Sequence, residues 1–456
     1  MRAFSLLFLL GCLLPNARAQ HLEEYIQTAL ANNLELSQQE FSYQEAQARL
    51  DQAKALFWPK VSINGRYSLA EGGRTIDFPV GDLVNPAYQN LNRVNQFISG
   101  NDPTYPAYPT YAPINNEQTS FLRATEQETT IRLEMPVYNQ ALLHNRQIQE
   151  NLVGASEATL AGFRRQLAKD VEQAYYTYAQ AYYGRQILAD ALALVRENLR
   201  TTQSLQTYHQ ATAADVYTAE AQVAGILQEL AVARQREQSA QAYFNTLLNR
   251  DYTAAIQLPA ATVEAPLSAL SVTAAQQQAF QQRAELQQLN FYLAAAEQQR
   301  KIATGNRLPT VNLRTDYGVQ GTTYSFGADD DFVMASVVFA IPLFDRSTSA
   351  KVQEATLAQQ RLGAQKAAAE QQIGLQIVNQ YYALTAAQEQ IKQAKARRTA
   401  AGEAFRLQQR LYEQGQSNQV TWQNARTNLT TAEQQLVIAQ YNYLIQLAEW
   451  EWASGE

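Results

Sequence analysis

Ile131-Arg132-Leu133-Glu134-Met135-Pro136-Val137-Tyr138-Asn139 changes its period within nine residues. Through Val137, apolar Ile131, Leu133, Met135 and Val137 alternate with Arg132, Glu134 and Pro136. On an extended chain that gives one greasy face and one polar face. Beyond Asn139 the spacing lengthens: Leu160, Phe163, Leu167, Val171, Ala174, Tyr178 and Ala181 step by threes and fours. This is the seam of a helix packed on other helices. No proline interrupts the chain from Asn139 to Tyr208, so one helix of roughly 65 residues, on the order of 100 Å, is expected.

Working outward, the same strand-to-helix passage recurs. Leu34-Glu35-Leu36 matches Ala284-Glu285-Leu286 at an offset of 250, which also carries Phe41 onto Phe291, Ala53 onto Ala303 and Pro59 onto Pro309. Strand-like Val61–Tyr67 and Val311–Tyr317 follow those prolines. At an offset of 206, Pro136-Val137-Tyr138-Asn139 maps onto Pro342-Leu343-Phe344-Asp345 and Tyr175-Tyr176 onto Tyr381-Tyr382. Further on, 204 places Tyr208 on Tyr412, Val216 on Val420 and Ala221 on Ala425. The first change marks 44 extra residues in the first copy, a Gly-, Pro-, Asn- and Tyr-rich region around Glu71 to Ser120. Collinear landmarks of several kinds make this an internal duplication.

The expected organisation is a signal at 1–19, a first repeat at 20–250, a linker at 251–272 and a second repeat at 273–456. In the first repeat, strands near 60–70 and 124–137 flank an extracellular insertion at 71–120 and precede a coiled-coil hairpin at 139–250. The second has strands near 310–320 and 331–342 and a hairpin at 346–452. Its closing helix shows the seam clearly in Leu429, Ala432, Leu436, Ala439, Tyr443, Leu447 and Trp450. Hairpins this long have no conventional core and bury their stripes on each other and on neighbouring subunits. Pro59 and Pro309 stop helices, and Pro136 and Pro342 fall where strands hand back to helices. All four are candidates for the barrel–tunnel junction. Ordinary punctuation explains them equally.

Each strand is about ten residues long, the length a tilted membrane strand needs. The polar face carries Asn64, Arg66, Arg132, Glu134, Arg314 and Asp316. Four strands cannot close a barrel, and open edges in lipid strand backbone groups at several kcal/mol each. If these strands span a membrane, several copies must share one wall. Tyr67, Tyr138, Tyr317 and Phe344 are candidates for interfacial belts or for local packing.

Composition narrows the function. Charged residues are 17% with net charge -6, which offers no basic surface for nucleic acid. Arg2, the apolar run Phe4 to Leu14, and Ala17-Arg18-Ala19 before Gln20 form a secretory signal. The only cysteine, Cys12, lies within it, where Leu9-Leu10-Gly11-Cys12 also fits a lipoprotein processing box. His21, His144 and His209 lack metal-ligand spacing, and Met135 and Met334 are too few for a soft-metal relay. Acidic Glu23-Glu24 and Asp329-Asp330-Asp331 read as a helix start and a hairpin loop; the loop trio is also a conceivable Ca²⁺ site. Phosphate-binding, dinucleotide and nucleophile-elbow motifs are absent, so no enzyme activity, cofactor or resident metal is expected.

Tyr412-Glu413-Gln414-Gly415, then Val420, Ala425 and Ala439-Gln440-Tyr441-Asn442-Tyr443-Leu444-Ile445, resemble the end of the TolC-like outer-membrane efflux proteins. The duplicated order resembles that family along the mature chain. The resemblance implies a mainly α fold with transmembrane β: a homotrimer with a twelve-stranded barrel continued by an α-helical periplasmic tunnel. It also implies an inner-membrane pump docked through a periplasmic adaptor, and passive exit of cargo in efflux or type I secretion. Such a family gates at the periplasmic hairpin turns, here Tyr208 to Asp215 and Tyr412 to Val420. Candidate tip residues are Tyr208, Asp215, Glu220, Tyr412, Gly415, Thr421 and Asn424. Where members of the family carry inward aspartates this chain has Thr421 and Asn424, and Ser417 replaces the arginine two residues after the glycine. Asp215 and Glu220 are the nearest charges in the first copy; capping the start of a helix and facing water are their plainer reading. Gly415 reads as a turn residue. The competing function is a periplasmic coiled-coil scaffold, which a soluble monomer after lysis would favour.

Overall fold

A computed structural model describes residues 17–101, 109–258, 271–323 and 330–455; residues 1–16 of the expected signal, with Cys12, most of the 251–272 linker and Asp329 lie outside them. The elements are α1 (Ala17–Asn32), α2 (Leu34–Ala55), β1 (Lys60–Leu69), β2 (Thr75–Phe78), α3 (Val80–Asn101), β3 (Glu117–Ser120), β4 (Thr125–Tyr138), α4 (Gln140–Thr207) and α5 (Ala213–Leu247), followed by α6 (Val272–Gln282), α7 (Ala284–Gly305), β5 (Thr310–Gly321), β6 (Asp331–Ala340), α8 (Arg346–Glu413) and α9 (Gln419–Ser454). The chain divides into a helical unit, holding His144–Thr304 and Ser347–Glu456 with the N-terminal helices, and a sheet unit of Ala53–Leu143 and Gly305–Arg346.

Two cores in the helical unit repeat each other. In the first, Ala29 of α1 and Leu36 of α2 pack on Val171 and Tyr175 of α4 and Phe244 of α5. In the second, Ala279, Leu286, Ile377, Tyr381 and Trp450 occupy the matching places on α6, α7, α8 and α9. The first two pairs keep the offset of 250 and the last three that of 206. Ala29 and Ala279 are fully buried, because only a methyl-sized side chain lets a short helix lie this close against a long one. The helix breaks are duplicated too: Asn33 Nδ2 donates to the Leu247 carbonyl at 3.0 Å, and Arg283 Nη1 to the Ala453 carbonyl at 3.3 Å. Each satisfies an orphan carbonyl in the last turn of a return helix. The hairpins therefore do have cores of their own. The expectation that they bury apolar stripes only on each other and on other subunits is corrected, because the short helices α1, α2, α6 and α7 supply further partners.

In the sheet unit the order is β1-β4-β5-β6, all antiparallel. Pro59 and Pro309 sit immediately before β1 and β5, where their missing N–H costs no ladder bond. Pro342 follows β6. Pro136 lies near the end of β4, which runs to Tyr138, at the irregularity where the β4–β5 register shifts between Pro136 and Tyr138. A bulge tolerates the missing donor.

The described part of the insertion forms regular elements. A β2–β3 ribbon leads into the 22-residue helix α3. Extended residues 109–116 are clamped along α3 by asparagines: Asn85 and Asn92 each both accept from and donate to one backbone residue, Ile114 and Tyr111 respectively, all at 2.8 Å. Asn95 donates to the Pro109 carbonyl, and Tyr88 stacks on Tyr111 with ring centroids 5.0 Å apart. Gly81 is required, since a Cβ there would meet the Ile114 carbonyl oxygen at 2.4 Å.

Candidate functional site

The sheet places charge and grease on opposite faces. Ile63, Ile131, Tyr317 and Val333 stand side by side across the four strands, and all are exposed, Ile63 by 74% and Val333 by 71%. Val61, Val137, Val337 and Phe339 extend the same open apolar surface. On the reverse face Asp316, only 2% exposed, accepts from Arg132 Nε at 2.7 Å and Arg314 Nε at 2.8 Å, and Arg66 pairs with Glu128 at 2.9 Å. A soluble sheet does the reverse, hiding its apolar face and wetting its charges. Among the described residues β1 pairs only with β4 and β6 only with β5. Each outer edge therefore offers about five N–H and five C=O groups to a further strand.

The second place is the pair of hairpin turns. Residues 208–212 and 414–418 make the same five-residue connection. At the first, the Gln210 N–H donates to the Leu205 carbonyl and the His209 N–H to the Gln206 carbonyl. At the second, Gln416 donates to Leu411 and Gly415 to Tyr412. Both are helix ends closed by a left-handed residue, His209 at φ 58° and Gly415 at φ 68°. Thr212 caps α5 with its side chain accepting from the Asp215 N–H, while Asp215 Oδ2 accepts from the Thr212 N–H at 2.9 Å. Asn418 caps α9 by accepting from the Thr421 N–H at 2.9 Å. Every one of these correspondences keeps the offset of 206. The shift to 204, which paired Tyr208 with Tyr412, is corrected: it rested on shared identities, whereas the position that must adopt positive φ sets the true register.

The named tip residues separate into distinct surroundings. Tyr208, Glu220, Thr421 and Asn424 are exposed. Hydrogen bonds from Thr212 hold the Asp215 carboxyl below the usual range. Gln419 Nε2 donates to the Asp215 carbonyl at 3.2 Å and so ties the second turn to the first. Tyr412 is half-buried, its ring 5.9 Å from Trp422, which in turn lies 5.9 Å from Phe405. Ser417 accepts from Gln408 Nε2, so the position that departs from the family pattern still closes the turn.

Two further charged groups are buried in the helical unit. Arg426, where the first repeat has Glu220, is buried with its guanidinium 5.5 Å from the Phe405 ring, and its buried Nε has no hydrogen-bond partner. Burial holds its pKa below the ordinary arginine value, against the pull of Glu433 and Asp190. Its spacing three residues before the seam residue Leu429 was the signal available. On α4, burial pushes the Glu172 carboxyl up to about 7, with Glu451 adding repulsion and a Tyr176 hydrogen bond opposing. Beside it Lys169 pairs with Glu449 at 3.1 Å and lies 4.4 Å from the Trp452 ring.

With this geometry in place, residues 275–456 match the family described as outer membrane efflux protein. That match covers the second repeat. Likeness in fold to solved structures extends over the first repeat as well. The Campylobacter jejuni CmeC outer membrane channel is similar over 96% of this chain and 86% of its own, at 14% identity and a TM-score of 0.77. The outer membrane protein VceC of Vibrio cholerae is similar over 96% of both chains, at 18% identity and a TM-score of 0.74. An open state of the Neisseria gonorrhoeae MtrE outer membrane channel covers 95% of this chain and 89% of its own, at 17% identity and a TM-score of 0.73. Among curated protein sequences there is no match.

Proposed function

We propose that this chain is one of three protomers of an outer-membrane exit duct, in which three four-stranded sheets close one twelve-stranded barrel and the helical hairpins form the periplasmic tunnel. The observation that carries the reading is the sheet itself, with its apolar face bare and both edges open. Water disfavours the first and lipid the second, and only a shared barrel in a bilayer relieves both. The efflux-family match of the second repeat and the likeness to three outer-membrane channels or proteins support the same conclusion.

Transport in this reading is passive. The chain supplies a wall and a gate, and an inner-membrane pump reached through a periplasmic adaptor supplies the energy. The gate lies at the turns around Tyr208 and Gly415, with Asp215, Glu220, Tyr412, Thr421 and Asn424 at or beside them. Thr421 and Asn424 make the second-repeat side of this constriction neutral, so it discriminates less by cargo charge than an acidic ring does. Pro59, Pro136, Pro309 and Pro342 mark the junction between strand and helix.

The test is fractionation followed by electrophoresis with and without heating, and conductance in planar bilayers. An outer-membrane, heat-modifiable trimer that conducts ions is expected. A monomer that stays soluble without detergent overturns the reading and favours the periplasmic scaffold.

A further inference from the structure

Helix α3 of the insertion has two faces in different states. Its b and f positions, Gly81, Asn85, Tyr88, Asn92 and Asn95, face the chain's own strap of residues 109–116. On the other side Val80, Leu83, Ala87, Asn90, Val94 and Phe97 recur at alternating steps of three and four, the a and d positions of a coiled-coil seam. Leu83 is 75% exposed and Phe97 72%, with Leu91 and Val94 open beside them. Among the described residues nothing in the sheet unit covers this seam, and the strap has already taken the opposite face.

We infer that α3 docks on α3 of other copies of this chain, forming a small parallel coiled coil beyond the strand ends. The inference rests on the proposed sharing of one barrel. Three observations favour a second copy over other occupants. A strict a/d repeat is self-complementary, since knobs of one helix fit the holes of an identical one. Asn90 at a d position is the kind of polar layer that fixes register between like helices. The reach is also short: ten residues separate the end of β1 at Leu69 from the start of α3 at Val80, and β1 is an open edge at which another copy must add. Arg93, at a g position, is the one ionisable side chain flanking the seam, so like-charge repulsion between copies is slight. Pinned by asparagines to its strap, α3 enters the contact already ordered, which lowers the entropic cost of association.

The experiment is thiol cross-linking in the full-length protein purified as an oligomer. Phe97→Cys and, separately, Leu83→Cys are treated with a short bis-maleimide, with Gln89→Cys on an exposed position away from the seam as reference. Cross-linked dimer from either seam variant is expected at roughly ten-fold or more the yield of the reference, because only seam positions meet their own copies. An intact trimer in which both seam variants link no better than the reference overturns this inference alone. A fluorophore on Phe97→Cys that is quenched by spin-labelled lipid in that trimer also overturns it, assigning the face to the bilayer surface. A monomer defeats the shared barrel and this contact together, so the two failures are distinguishable.

Discussion

Glu172→Gln is the substitution whose effect follows most directly from the helical core. Glu172 lies on α4 beside Tyr176, and its carboxyl titrates at about 7, against 4.5 when solvated, because burial and the nearby Glu451 disfavour its charge. A folded state with the higher pKa holds a proton that the unfolded chain has released, so unfolding gains from rising pH between the two values. For this group stability is greatest below about pH 4.5, falls through the window up to about 7 and stays low above it. The displacement corresponds to about 3 kcal/mol at alkaline pH. Glutamine keeps the size and the hydrogen-bonding capacity toward Tyr176 but carries no charge. The variant should therefore be more stable than the parent by about 3 kcal/mol at pH 8 and nearly equal to it at pH 4.5. Chemical denaturation of the detergent-solubilised protein, followed by helical circular dichroism at several pH values, measures the difference. Parallel pH dependences for parent and variant would refute the assignment of this carboxyl as a buried, strained charge.

Other expectations bear on the wall and the turns. Val337→Arg on the open apolar face should cost about 2–4 kcal/mol per copy near the bilayer midplane and reduce outer-membrane trimer in a heating gel, while Asn64→Arg on the charged face leaves assembly intact. Gly415→Ala meets no atom within 4 Å, so any loss, about 1 kcal/mol, reports positive φ alone; hydrogen exchange at Gln416 should quicken about five-fold, whereas His209→Gly leaves Gln210 no faster. Arg426→Met should be neutral or stabilising in thermal melts because it removes a buried cation whose Nε is unpartnered, and Arg426→Ala should cost about 2–3 kcal/mol through the cavity it opens.

Much of this protein is legible in its sequence. Alternation in Ile131 to Val137 and threes and fours from Leu160 to Ala181 settle strand and helix, since those periods are properties of local backbone geometry. The duplication followed from landmarks such as Pro59 and Pro309, and the shortage of strands followed from hydrogen-bond bookkeeping. Tertiary structure decided the rest. Identity alone aligned Tyr208 with Tyr412, but positive φ at His209 and Gly415 fixes the register two residues away. In the insertion Asn85 and Asn92 hold an extended strap against a helix, a pairing made by residues 19 and 29 positions apart. Likewise, burial of Glu172 and Arg426 depends on which faces of α4, α8 and α9 turn inward. Periodicity records that a face is apolar, whereas its partner is chosen only when distant helices meet.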